Sequence, residues 1–250
     1  MTLAVVTGGE SGIGAACAVR LAEAGADVVI SYHKDKQAAD DIIGQVRATG
    51  REGLAVHCDV ASEEDVAALF EAASKIGMCR WLVNSAGVNM SGIPIERMEL
   101  ELFARTVATD LAGPFLTCRE FVRRLDGDGG RIVNISSIHA FAPRAGGADY
   151  DAAKGGLSQL TRTLALELAP RRVAVNGVAP GMILTPMNEE AVENAEVRRK
   201  REAAIPWGRA GTAEEVAELV AFMLSPEADY ITGTTVTIDG GLSLTVAQGA

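Results

Sequence analysis

Tyr150 and Lys154 stand four residues apart in the segment YDAAK, with a pair of serines, Ser136 and Ser137, upstream. Positions i and i+4 share one face of a helix, so a helix from about Tyr150 sets the ammonium beside the phenol. A phenol next to a held positive charge loses its proton more easily than an isolated one, whose pKa is about 10. Such a pair can serve as acid and base near neutral pH. Alone, a YxxxK spacing is more often the start of an exposed amphipathic helix, so its meaning depends on the elements around it.

The segment VVTGGESGIG places Gly8, Gly12 and Gly14 between a predicted strand and a predicted helix, with Ser11 and Ile13 among them. Glycine lets backbone approach a pyrophosphate, and a helix N-terminus offers free N–H groups to the anion. The spacing is TGxxxGxG rather than GxGxxG, and a lone glycine motif is a weak signal. Further small or polar loops recur where other predicted strands end. Asp59 and Val60 follow the third strand, Asn84, Ala86 and Gly87 the fourth, and Pro180, Gly181, Ile183 and Thr185 the sixth. Asp59 suits an adenine amino group, the Asn84–Gly87 turn a ribose, and Thr185 a carboxamide. Each is more often a cap or a plain turn; their recurrence at one end of successive strands is what an ordinary domain lacks.

The elements that must position these groups are short β-branched runs alternating with alanine-rich helical stretches. LAVVT (3–7), DVVIS (27–31), GLAVHC (53–58), WLVN (81–84), GRIVNIS (130–136), VAVNGV (173–178) and TVTI (235–238) read as strands. Their adjacent apolar residues fit strands covered on both faces. Helical stretches include 12–24, 63–75, 99–124, 151–169 and 212–224, the last opening with a capping-box pattern at Thr212 and Glu215. Alternation throughout predicts an α/β fold, one doubly wound parallel sheet flanked by helices. No repeat, linker or low-complexity block divides residues 1–250, which read as a single domain.

Composition agrees. A chain of 250 residues, 48% hydrophobic and 22% charged, can bury a large core. Its formal charge of −10 argues against nucleic acid and anionic membrane as partners. The N-terminus has neither the basic start nor the apolar run of a signal peptide, and no stretch is long enough to span a bilayer, so a cytoplasmic location is expected. Cys17, Cys58, Cys79 and Cys118 are scattered, with no CxxC pair and no histidines placed to complete a metal site.

In order, TGGESGIG, NSAG, the serine, YDAAK and the PG…T loop resemble the short-chain dehydrogenase/reductase family, over essentially the whole chain. The resemblance implies a Rossmann sheet of seven parallel strands, NAD(H) or NADP(H) as cofactor, and a homotetramer. It implies that Ser137, thirteen residues before the tyrosine, holds the substrate oxygen while Tyr150 exchanges a proton with it. It implies that Lys154 eases the tyrosine's ionisation and binds the nicotinamide ribose. Where the family has an asparagine in its long central helix, supporting a water chain to the lysine, this chain has Asp110. A carboxylate there can still accept a hydrogen bond, but its charge opposes the lysine's effect on the tyrosine.

Cofactor choice is read at the end of the second strand, in VVISYHKDK. Tyr32 stands where NAD-type relatives carry an acid, and His33 and Lys34 are a basic pair suited to a phosphate. Glu10 and Ser11 weigh the other way, filling positions where many NADP-type members have Arg or Lys. The expectation is NADP(H) over NAD(H). The segments ISSIHAFAP, PGMILTPMN and IPWGR look most like bacterial glucose 1-dehydrogenases, and a charge of −10 that would repel an acidic carrier turns the expectation to a small sugar, polyol or ketone substrate. The competing reading is a reductase of acyl groups on an acidic carrier protein, whose two basic docking positions fall here on Arg171 and Asp128. A non-catalytic nucleotide-binding regulator is a third. Residues 186–206 are expected to form a lid over the substrate, flanked by Met187 and Trp207.

Overall fold

The computed structural model describes residues 2–127 and 129–247. Asp128, one of the two carrier-docking positions, lies outside the described residues. All seven predicted strands form, as β1 (Leu3–Thr7), β2 (Asp27–Tyr32), β3 (Gly53–His57), β4 (Cys79–Asn84), β5 (Gly130–Ile135), β6 (Val173–Pro180) and β9 (Thr235–Ile238). They make one parallel sheet in the order β3-β2-β1-β4-β5-β6-β9. β7 (Ile183–Leu184) and β8 (Gly211–Thr212) form a separate two-stranded ladder.

Successive residues of a strand point to opposite faces, and here both faces are covered by helices. Val6, Val28 and Ile30 pack with Cys17 and Leu21 of α1 (Gly12–Glu23) and Val216 and Val220 of α9 (Ala213–Leu224). Their neighbours Val5 and Val29 enter a second cluster with Val66 and Phe70 of α3 (Glu63–Ser74) and Phe121 of α5 (Gly113–Arg124). α2 (Lys36–Ala48) joins the first layer, and α4 (Leu100–Val107) and α6 (Ala148–Leu168) pack together on the other side. The capping box at Thr212 and Glu215 forms as the sequence predicts.

One predicted helix is interrupted. Residues 99–124 split into α4, a π-helical turn at Ala108–Ala112, and α5. Pro114 explains the break: it has no N–H to give to the carbonyl four residues back, that of Asp110, and its ring crowds that carbonyl. The wider turn carries Asp110 inward, where it is fully buried.

The chain leaves β1 toward one edge of the sheet and returns at β4 toward the other. Loops at the carboxyl ends of β1 and β4 therefore diverge, and a crevice opens between them, the place where open α/β sheets take ligands.

Candidate active site

The glycine loop after β1 is stitched to β2 at successive points. Gly8 N donates to Ser31 Oγ at 3.2 Å, Gly9 N to Ser31 O at 2.9 Å, and His33 N to Glu10 Oε1 at 3.2 Å. Gly8 and Gly12 adopt left-handed backbone, with φ of 63° and 54°. A Cβ on Gly14 would lie 2.1 Å from the Gly8 carbonyl oxygen, so only glycine lets α1 start this close to β1. Ser11, the residue before α1, makes no side-chain cap, and the first N–H groups of the helix remain available to an anion. Thr7 Oγ1 accepts from Ser85 N and Ala86 N, both at 3.1 Å, fixing the β4 loop beside the glycine loop.

These loops border a cleft of about 580 Å³. Gly8, Ser11, Gly12, Ile13, His33, Lys34, Asp59, Val60, Ala86, Gly87, Pro180, Gly181, Ile183 and Thr185 line it, as do Ser137, Tyr150, Lys154 and Asp110. The size, the cradle that only glycine permits and the open helix start fit a dinucleotide. Three expected residues stand elsewhere. Gly14 packs beneath the loop. Tyr32 turns its ring against His57, edge-on at 5.6 Å between centroids. Asn84 points its side chain inward, donating to Asn134 Oδ1 at 2.8 Å and accepting from Thr117 Oγ1 at 2.6 Å. Those bonds tie β4 to β5 and α5, so the Asn84 side chain is a buried strut.

At the other end of the cleft, β5 ends in the two serines, and the structure separates their roles. Ser136 Oγ is engaged with Ser158 Oγ of α6 at 3.1 Å. Ser137 Oγ accepts from His139 N at 3.1 Å, which leaves its own proton free to donate into the cleft. Tyr150 lies in the first turn of α6, and the Lys154 ammonium sits 5.5 Å from the centre of its ring. The His139 ring stands edge-on to Tyr150, with 6.2 Å between centroids.

Lys154 Nζ donates to Ile135 O at 3.1 Å and stands 3.0 Å from Asp110 Oδ1. The Asp110 contact is an ion pair without a well-angled hydrogen bond at Oδ1, while Oδ2 accepts from Val88 N at 2.9 Å. Both partners are buried. Burial alone pushes a lysine pKa down, but the Asp110 carboxylate and the Tyr150 phenol more than offset it, and Lys154 is held above its usual value of 10.5. The family resemblance implies a water chain to the lysine from this position; the carboxylate here also stands directly against the ammonium. Gly87 makes room for it, since a Cβ there would fall 2.6 Å from Asp110 Oδ1.

Cys58 also borders the cleft, but burial, then the charges of Asp65 and Asp59, push its thiol up to about 12, so it is no nucleophile at neutral pH. Sequence reasoning passed over Ser31, Val88, Arg105 and Thr109 as lining residues. Their only signal was adjacency to the motifs; Arg105 comes from α4 and Thr109 from the π turn. The expected lid contains a 3₁₀ turn at Pro186–Asn188, α7 (Glu189–Glu193) and α8 (Ala195–Glu202), and the β7–β8 ladder joins its two ends. Met187 lines the cleft and its carbonyl accepts from Asn89 Nδ2 at 2.9 Å, whereas Trp207 is 72% exposed.

A family model described as Enoyl-(Acyl carrier protein) reductase matches residues 8–243. The chain is 41% identical to 3beta-hydroxysteroid dehydrogenase 1 of Eggerthella lenta, covering 96% of this chain and 93% of the other. It is 36% identical to glucose 1-dehydrogenase 2 of Bacillus subtilis, covering 98% and 96%. Among solved structures, acetoin dehydrogenase from Enterobacter cloacae superposes with a TM-score of 0.91 at 37% identity, covering 100% of this chain and 98% of that one.

Proposed function

The chain belongs to the short-chain dehydrogenase/reductase family, whose named relatives act on CH–OH groups, and from that premise we propose that it interconverts a small secondary alcohol and its ketone, or a sugar and its lactone, through Ser137, Tyr150 and Lys154. The cofactor class is NAD(P)(H), and when bound it exchanges a hydride with the substrate carbon. Ser137 Oγ donates to the substrate oxygen and fixes its direction. Tyr150 gives that oxygen a proton in reduction and takes one from it in oxidation. Lys154 stabilises the ionised phenol and offers further donors to a nicotinamide ribose. Asp110 keeps the ammonium charged in spite of its burial, and the Ile135 carbonyl fixes where it points.

The observation that carries this reading is the buried Lys154–Asp110 pair on the same cleft wall as Tyr150 and Ser137. Burying two charges is expensive, and a pair kept beside a phenol in a ligand cleft is the arrangement expected of a proton-transfer site. Substrate class follows the glucose and acetoin relatives, with Val88 and Met187 supplying apolar lining to the cleft. A carrier-borne acyl substrate is disfavoured. Arg171, the one basic docking position described, donates to the Val122 and Leu125 carbonyls at 3.4 and 3.3 Å, and the net charge of −10 repels an acidic carrier. No described helix is long and apolar enough to cross a membrane. The reading includes a cytoplasmic homotetramer, for which Leu100, Phe115 and Leu166, exposed on α4, α5 and α6, supply apolar contact area.

The test is a screen of NAD+ and NADP+, each with glucose, acyclic polyols, acetoin-type hydroxyketones and hydroxysteroids, following the near-ultraviolet absorbance of reduced nicotinamide. Turnover with a small alcohol is expected. Tight nucleotide binding without turnover in any pairing would favour a nucleotide-sensing regulator instead.

A further inference from the structure

Glu10 belongs to the glycine loop, yet its carboxylate reaches across to the end of β2. Oε1 accepts the His33 N–H at 3.2 Å, and Oε2 is buried with no hydrogen-bond partner. The side chain lines the cleft together with Ser31, His33 and Lys34, and among the described residues it forms no ion pair. Its position is not incidental, because Gly8 and Gly9 bind Ser31 immediately before it and hold the loop against β2.

Resting on the cofactor class proposed above, we infer that Glu10 is the residue that selects the adenosine ribose, and that it selects the unphosphorylated form, NAD(H). An unpartnered buried carboxylate oxygen is costly until a donor reaches it. A ribose presents two adjacent hydroxyl donors. A 2′-phosphate presents acceptors and negative charge, and would also have to compete with Glu10 for the His33 N–H. Tyr32 does not fill the acid's role, since its ring is turned to His57. Glu10 supplies from the loop the acid that is missing from the strand. His33 and Lys34, both exposed, give a 2′-phosphate only solvent-screened charge in return. The preference that His33 and Lys34 suggest by sequence is therefore reversed.

The test is equilibrium binding to the full-length protein, by nucleotide fluorescence or calorimetry, with NADH, NADPH, 5′-AMP and 2′,5′-ADP as probes. Wild type should bind NADH at least about tenfold more tightly than NADPH, and 5′-AMP more tightly than 2′,5′-ADP, as one charge-assisted hydrogen bond implies. Glu10→Gln keeps the shape and removes the charge, and Glu10→Ser removes the reach; each should narrow both ratios by about tenfold. Wild type that prefers NADPH and 2′,5′-ADP, or ratios unmoved in both variants, would overturn the assignment of Glu10 while leaving the oxidoreductase reading intact. Failure of wild type to bind either dinucleotide would overturn both.

Discussion

At one end of the cleft Lys154 and Asp110 are buried against each other at 3.0 Å; at the other, His33 and Lys34 stand in solvent beside Glu10. Both ends deploy ionisable side chains toward a ligand, but in different dielectric surroundings. Charges excluded from water interact strongly and are intolerant of losing a partner, whereas exposed charges are screened within about 10 Å at ordinary salt. The buried end is therefore suited to controlling a proton. The open end can discriminate between ligands only where one of its groups is also withdrawn from water, and Glu10 Oε2 is that group.

The largest effect should come from Tyr150→Phe. Removing the proton donor should lower kcat by about 10²–10⁴-fold, the usual worth of general acid–base catalysis, while nucleotide affinity is little changed because Lys154 and the glycine loop remain. Steady-state turnover beside nucleotide titration checks both halves.

Asp110→Ala leaves a buried ammonium without its counter-charge, and should cost about 3–5 kcal/mol of stability, read as a lowered Tm and denaturation midpoint. Asp110→Asn tests the sign of the electrostatics. Lys154 has a higher pKa folded than unfolded, so the stabilisation it brings is complete below pH 10.5 and is lost as pH rises through the folded value. In Asp110→Asn burial is no longer offset by that carboxylate. The alkaline fall in Tm, and in activity, should then begin at a lower pH than in wild type. A fall at unchanged pH would mean that Asp110 does not hold the lysine's charge.

Gly14→Ala probes the loop between the two ends. Its Cβ would meet the Gly8 carbonyl oxygen at 2.1 Å, so backbone must shift. Overpacking of this kind costs about 1–3 kcal/mol, and the displaced loop should lose dinucleotide binding, measurable by titration on protein still folded by circular dichroism. Lys34→Ala should do least, changing affinity for NADH by less than about fivefold, the ~1 kcal/mol ceiling of an exposed charge contact. A much larger loss would mean that the open end is less screened than its exposure indicates.

The strands were legible because coverage on both faces leaves adjacent apolar residues, as in LAVVT, where Val5 and Val6 serve opposite layers. The Tyr150–Lys154 pairing was legible because helix periodicity is fixed. The π turn was not, since Pro114 within the helical pattern of 99–124 says that the ladder breaks but not which side chain the break turns inward. That turn sets Asp110 directly against the lysine, a contact that the family's asparagine position does not foretell. Glu10 was legible as a residue type but not as a contact, because nothing local in TGGESGIG says that its side chain crosses to His33. Two-residue strands such as β7 and β8 carry too little pattern to be seen, though they join the two ends of the expected lid.

The account turns on Tyr150 being the group that moves the proton while Lys154 and Asp110 hold the field around it. The most direct measurement is single-turnover hydride transfer by wild type and Tyr150→Phe, each saturated with dinucleotide and with the best small alcohol from the screen. A loss of at least about 10²-fold in the transfer rate with nucleotide affinity retained is the predicted result. Equal rates in the two proteins would contradict the account.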